Sequence, residues 1–321
     1  MKRLILLLPM AFLAMDASCW GFFAHKKINS HAVFLLPPEM IAFYKANIDY
    51  LAEHAVDPDK RRYAVAEEGP RHYIDLDHYG AYPFDALPRS WKEAVVKYSD
   101  DSLQEHGIVP WWIETMMYRL TKAFQQKETA KILKLSAELG HYIADAHVPL
   151  HTSSNHNGQK TGQLGIHGFW ESRIPELLAD KEWDFFIGRA VYLNDPAAFI
   201  WSRVLESAAA ADTVLRYEAE LTLHFAIDQK YAFENRNGTT IRQYSSAFAR
   251  AYNTMLQGMV ERRMRQSIFA IASCWYTAWV NAGQPDLKGL NRETVSKEDQ
   301  EEFDQLNAAW RSGNIKGRIH E

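Results

Sequence analysis

The sequence predicts an all-α fold, a single multi-helix domain, from three observations. Apolar residues recur at three- and four-residue steps over long stretches, strand-type alternation is scarce, and glycine and proline gather in a few connectors. The clearest stretch runs from about Thr129 to Ala146, with Ile132, Leu135, Leu139, Tyr142, Ile143 and Ala146 in step. Residues 197–231 form a second, Ala- and Leu-rich with Arg216, Glu218 and Glu220 interleaved. Residues 241–281 form a third, ending near Asn281-Ala282-Gly283 with Pro285 just beyond. The connectors are Pro37-Pro38, Gly69-Pro70, Gly80 to Pro88 and Asn155 to Gly165. There is no internal repeat. The helical domain is placed at 20–285. Residues 286–321 are polar and charged, and read as a peripheral helix around 296–311 followed by a loose tail.

Composition narrows the function classes. The chain has 321 residues, 47% hydrophobic and 24% charged, enough apolar area for a large core. Wholesale disorder and a disulfide-stapled mini-protein are both excluded. The net charge of −4 carries no basic excess, which argues against an obligate duplex DNA binder and leaves a small local nucleic-acid site open. Thirteen histidines are more than an average chain carries and ask for a chemical reason.

The N-terminus reads as a secretory signal peptide over residues 1–19. Lys2 and Arg3 are basic, Leu4 to Met15 is apolar but too short to span a bilayer, and Ala17-Ser18-Cys19 supplies small residues for cleavage. Cleavage after Cys19 starts the mature, periplasmic or secreted chain at Trp20. It also leaves one cysteine, Cys274, and hence no intrachain disulfide. An acylated Cys19 is the rival reading, and an uncleaved anchor a third.

The densest chemistry lies between residues 141 and 171. His141 and Asp145 are four apart on a helix and share a face. Pro149 is expected to end that helix near residue 148, which lets His151 turn back toward the same point. After a polar loop, His167 and Glu171 repeat the four-residue His–carboxylate spacing. One such pair is usually a solvated face. Two, with His151 between them and apolar neighbours around them, fit a metal site between helices. The donor mix suits zinc in a catalytic site. Upstream, His25, Asp57, Asp59 and His72 offer more donors, each weak alone.

In this order the donors resemble the superfamily of three-zinc phosphodiesterases, which contains bacterial zinc-dependent phospholipase C and the zinc-dependent single-strand nucleases. That signature is a mature N-terminal Trp, a His shortly after, an Asp, a His about fifteen residues on, His-x-x-x-Asp-x-x-x-x-x-His, and a final His-x-x-x-Asp/Glu. Here Trp20, His25, Asp57, His72, His141, Asp145, His151, His167 and Glu171 supply it. The resemblance implies a trinuclear zinc site between helices. Asp57, His72, His141 and Asp145 would hold the first zinc, and His151, His167 and Glu171 the second. The Trp20 amine and carbonyl, His25 and the other oxygen of Asp145 would hold the third. Asp59 is the rival to Asp57, lying thirteen rather than fifteen residues before His72. The resemblance also makes Asp57 a candidate general base. His31, His54, His78, His147, His156, His224 and His320 default to structural or surface roles.

The resemblance implies a hydrolase of phosphoric ester bonds, and the branches are weighed on detail. Glu171 in place of Asp, and a His151-to-His167 gap of sixteen, favour a phospholipase C with a phospholipid substrate and transient membrane-surface contact. The five-residue Trp20–His25 spacing, and Lys60 three after Asp57 where the nucleases place a phosphate-binding arginine, favour the nuclease and a single-stranded nucleic-acid substrate. A non-enzymatic zinc-binding helical protein would be favoured by a site with no open coordination position. Trp91, Trp111, Trp112 and Trp170 are candidates to line a lipid or base pocket, against the commoner role of core packing.

Overall fold

The helix Thr129–Asp145 organises the molecule. Its first half is amphipathic, but every residue from Ser136 through Thr152 is buried, so the chain there is enclosed on all sides. The helices Val109–Gln126, Phe22–Val33 and Met259–Asn281 pack around it. Pro196–Thr222 packs against Val109–Gln126 and against the short 3-10 turn Pro149–Thr152. The computed structural model describes residues 21–236, 238–290 and 297–316. The signal-peptide reading, Cys19 and Trp20 therefore lie outside the described residues.

Two close approaches bring the helices of the site together. Asn29 Nδ2 donates to Leu51 O at 3.2 Å and to Ala137 O at 3.0 Å, tying helix Phe22–Val33 to Thr129–Asp145. This contact needs Gly140, because a Cβ there would collide with the Asn29 amide. Helix propensity alone favours alanine over glycine by about 1 kcal/mol. Overpacking costs roughly 1–3 kcal/mol. Gly140→Ala is therefore expected to lower the urea midpoint of unfolding, where propensity alone would raise it. At the second approach, the Gly21 N–H donates to Ser172 Oγ at 3.1 Å. A Cβ on Gly21 would sit 2.7 Å from that oxygen.

The all-α reading holds, with one departure. Residues Tyr231–Arg236 and Thr239–Tyr244 form an antiparallel hairpin, pairing Tyr231 with Tyr244 and Phe233 with Arg242. The second predicted helix thus ends at Thr222, and the third begins only at Ser246. Its run is also broken at Gly258, whose φ of 70° places it in the left-handed region before Met259–Asn281 resumes. The hairpin has local causes: β-branched Thr239, Thr240 and Ile241 follow an Asn237-Gly238 pair. The peripheral C-terminal helix is Lys297–Arg311.

The tryptophans are largely core. Trp111 and Trp170 are buried, and the Trp111 ring meets Trp91 and Trp201 edge-on, with centroids 5.3 and 5.2 Å apart. Trp112 carries the Arg71 guanidinium over its ring at 4.1 Å. Cys274 is a buried free thiol, and burial pushes its pKa up to about 12. No helix among the described residues is long and apolar enough to cross a membrane.

Candidate metal centre

Three groups of side chains converge in the buried interior: His25, His141 and Asp145; Asp59, His72 and His141; and His151, His167 and Glu171. The helix Thr129–Asp145 contributes two residues to this centre because a four-residue step returns to the same face. It ends at Asp145. The 3-10 turn Pro149–Thr152 then carries His151 back inward, as Pro149 led the sequence to predict. His167 and Glu171 sit on a continuous helical run interrupted by one π turn, Phe169–Arg173. Such turns are frequent at functional sites.

Asp145 lies where the first two groups meet. Its Oδ1 is 3.4 Å from His25 Nε2, and its Oδ2 is 2.9 Å from His72 Nδ1 and 3.2 Å from His141 Nε2. Asp59 Oδ1 is 3.6 Å from His141 Nε2 and 3.8 Å from His72 Nδ1. In the third group, Glu171 Oε1 is 3.1 Å from His167 Nε2 and Oε2 is 3.5 Å from His151 Nε2.

The donor chemistry fits metal ions. Metal-binding histidines characteristically donate their second ring N–H to a carbonyl, which points the other nitrogen's lone pair at the ion. Here Nδ1 of His141 faces Ala55 O at 2.8 Å, Nδ1 of His151 faces His72 O at 2.5 Å, and Nδ1 of His167 faces His156 O at 3.0 Å. Each pairing aims Nε2 into its group. His72 Nδ1 and His141 Nε2 lie 3.0 Å apart and converge on the same two carboxylates. Among the described residues, both oxygens of Asp59, both of Glu171, Oδ1 of Asp145 and both nitrogens of His25 lack a hydrogen bond despite burial. Leaving so many buried polar atoms unpaired is expensive, unless cations satisfy them.

Electrostatics agrees. Burial opposes ionisation of Glu171, but His167 and His151 outweigh it and hold the carboxyl down at about 2. Asp145 is likewise held well below the usual range, by His141 and His151 acting against burial. Burial and the neighbouring His141 lower His25, keeping its ring neutral. Burial also opposes the charged form of His141, yet Asp145 and Asp59 push it up to about 9. Glu171 and Asp145 thus remain anionic inside the core, which is an environment that selects cations.

Asp57 is placed differently from the expectation. It opens the short helix Asp57–Arg61, where Asp57 and Asp59 lie about 200° apart around the axis. The Asp57 carboxylate meets His54 Nδ1 at 2.5 Å and Lys60 Nζ at 3.3 Å, while Asp59 faces His72 and His141. The C-terminal helix closes the Asp57 side: the Phe303 ring lies 5.0 Å from His54 and 4.5 Å from Lys60 Nζ. The residue three beyond Asp59 is Arg62, with Nη1 3.9 Å from Asp59 Oδ1. Lys60 is turned toward Asp57 and Phe303 instead.

Glu68 was not anticipated. It is fully buried, four residues before His72, with Oε1 3.5 Å from His72 Nε2. Arg71 Nη1 holds its other oxygen at 2.6 Å, and the Tyr142 hydroxyl donates to Oε1. The His-minus-four spacing was visible in the sequence. The convergence of Arg61, Arg71 and Tyr142 on that carboxylate was not.

A helical domain enclosing histidines and carboxylates with converging lone pairs defines a protein built to hold metal ions between its helices. The family model described as zinc dependent phospholipase C matches residues 24–249, more than two thirds of the 321-residue chain. The chain belongs to that family, whose members hydrolyse phosphoric ester bonds with zinc. No curated protein matches it. Three groups of donors can hold three ions, in keeping with the expected zinc content.

Proposed function

We propose that the protein is an exported phospholipase C that cleaves the phosphodiester between diacylglycerol and the headgroup phosphate. The observation that carries this reading is the convergence of three buried donor groups, two of them meeting at Asp145, in a member of this family. Asp59, His72, His141 and Asp145 would hold one zinc, and His151, His167 and Glu171 the second. His25 and Asp145 Oδ1, with the Trp20 amine and carbonyl, would hold the third. Zinc bound there supplies Lewis acidity toward the phosphoryl oxygens and toward water.

The chain's own groups do the rest. Asp59 has two carboxylate oxygens with no hydrogen-bond donor among the described residues, so it can accept the proton of a water attacking phosphorus. That proton then serves the departing diacylglycerol alkoxide. Ala55 O, His72 O and His156 O fix the histidine tautomers, and Glu68 orients the His72 ring. Signal cleavage before Trp20 would free an amine, ordinarily of pKa about 7.7–8, one residue from Gly21, which rests on Ser172 beside Glu171.

The nuclease reading keeps one specific support: Arg62 stands three residues past Asp59 with its guanidinium near that carboxylate. A substrate comparison on the zinc-loaded protein beginning at Trp20 separates the two. Phosphatidylcholine, other phospholipids, single-stranded DNA and RNA are assayed side by side, with elemental analysis of the same sample. Three zinc ions per chain and turnover of phospholipid are expected. Turnover of nucleic acid alone would move the assignment to the nuclease branch, and a saturated count of one zinc would remove the trinuclear centre.

A further inference from the structure

We propose that Leu164, Leu223, Ile227 and Phe233 form the surface on which the protein rests on a phospholipid aggregate. This inference builds on the phospholipase reading. Leu223, Ile227 and Phe233 are 83%, 82% and 75% exposed within eleven residues, and Leu164 is 68% exposed. Leaving large apolar side chains in water forgoes most of their burial free energy, and clustered exposure marks an interaction site.

A single buried carboxylate gathers the segments that carry them. Glu218 accepts from Gln163 Nε2 at 2.6 Å, pairs with Lys230 Nζ at 2.7 Å and accepts from the Tyr244 hydroxyl at 3.3 Å. Gln163 neighbours Leu164, while Lys230 lies between Ile227 and Phe233. The end of helix Pro196–Thr222, the helix Ile227–Lys230, the hairpin and the 152–165 loop are thereby fastened at one point.

The same region is coupled to the metal centre. The 152–165 loop runs between His151 and His167. Arg173, two residues past Glu171, donates Nε to Tyr244 O at 3.2 Å and Nη1 to Glu234 at 3.1 Å in the hairpin. A bilayer seated on the apolar tips would thus lie against elements that carry ligands of the third donor group. Charge is compatible with phospholipid as the occupant. Residues 223–244 carry a net of +1 in a chain of −4; Lys230 is taken up by Glu218, and the exposed Arg242 of the hairpin lies over the Tyr231 ring at 4.5 Å. Apolar tips with a neighbouring exposed guanidinium suit the acyl–headgroup boundary.

The test uses the zinc-loaded full mature protein and the double variant Ile227→Ser/Phe233→Ser. Co-sedimentation with phosphatidylcholine vesicles, with and without phosphatidylglycerol, is expected to weaken on the order of tenfold per side chain removed. Hydrolysis of vesicular phospholipid should fall in parallel, while hydrolysis of monomeric short-chain phosphatidylcholine stays unchanged. A second pair, Leu164→Ser/Leu223→Ser, carries the test on different segments and should behave alike. Vesicle binding equal to wild type in both pairs would overturn the proposal. So would a wild-type dimer that the substitutions disperse, which would assign the face to a second copy. Failure to cleave either form of phosphatidylcholine would count against the phospholipase reading, while vesicle sedimentation still decides the docking surface.

Discussion

Asp145→Asn is expected to lose more than one zinc ion per chain. The two oxygens of Asp145 face different partners, His25 on one side and His72 with His141 on the other. Asparagine keeps the shape but offers one carbonyl oxygen and a donor amide, which repels a cation. The loss of activity should exceed the roughly 10–100-fold typical of removing an outer-sphere partner. His156→Ala is the control: its Nδ1 meets Gln159 and its ring packs edge-on to His167, but it belongs to none of the three groups, and the backbone carbonyl that holds His167 Nδ1 is kept in the variant. Zinc content and rate measured on the same samples decide the matter. Loss of a single ion from Asp145→Asn would mean that the residue serves one site only.

The second large effect separates two aspartates that the sequence left in competition. Asp59→Asn is expected to lose about 10²–10⁴-fold in turnover, the range for removing a general base, and to weaken the zinc shared with His72 and His141. Asp57→Asn should retain all three ions. It removes the partner of His54 and Lys60, so its signature is a modest loss of thermal stability instead. If excess zinc restores the Asp59→Asn rate in full, Asp59 is a ligand and not a base. The opposite pattern, with Asp57→Asn crippled and Asp59→Asn normal, would mean that the helix Asp57–Arg61 docks the other way round in solution.

Much of the centre was legible because its spacing is local. A helix returns to the same face after four residues whatever surrounds it, so His141 with Asp145 and His167 with Glu171 could be paired from the sequence. Pro149 and the turn that brings back His151 are local as well. Family resemblance supplied the order of the donors across the chain, and with it the expectation of zinc.

What the sequence by itself determined was therefore the helical class, the His–carboxylate pairs and the kind of ion they suit. Tertiary structure decided which aspartate faces them. Asp57 and Asp59 both sit on one short helix, and its rotation is set by contacts distant in sequence: His72 and His141 on one side, Phe303 of the C-terminal helix on the other. Glu68 follows the same rule in part: Arg71 reaches it from three residues away on the same segment, but Arg61 and Tyr142 arrive from separate elements. The hairpin shows the reverse case, with its Asn-Gly pair and β-branched run present in the sequence but overruled by the helical reading of residues 241–281. Periodicity reports only which face of an element is apolar. What that face meets is fixed by packing, where burying a carboxylate is tolerable only beside a cation or a donor.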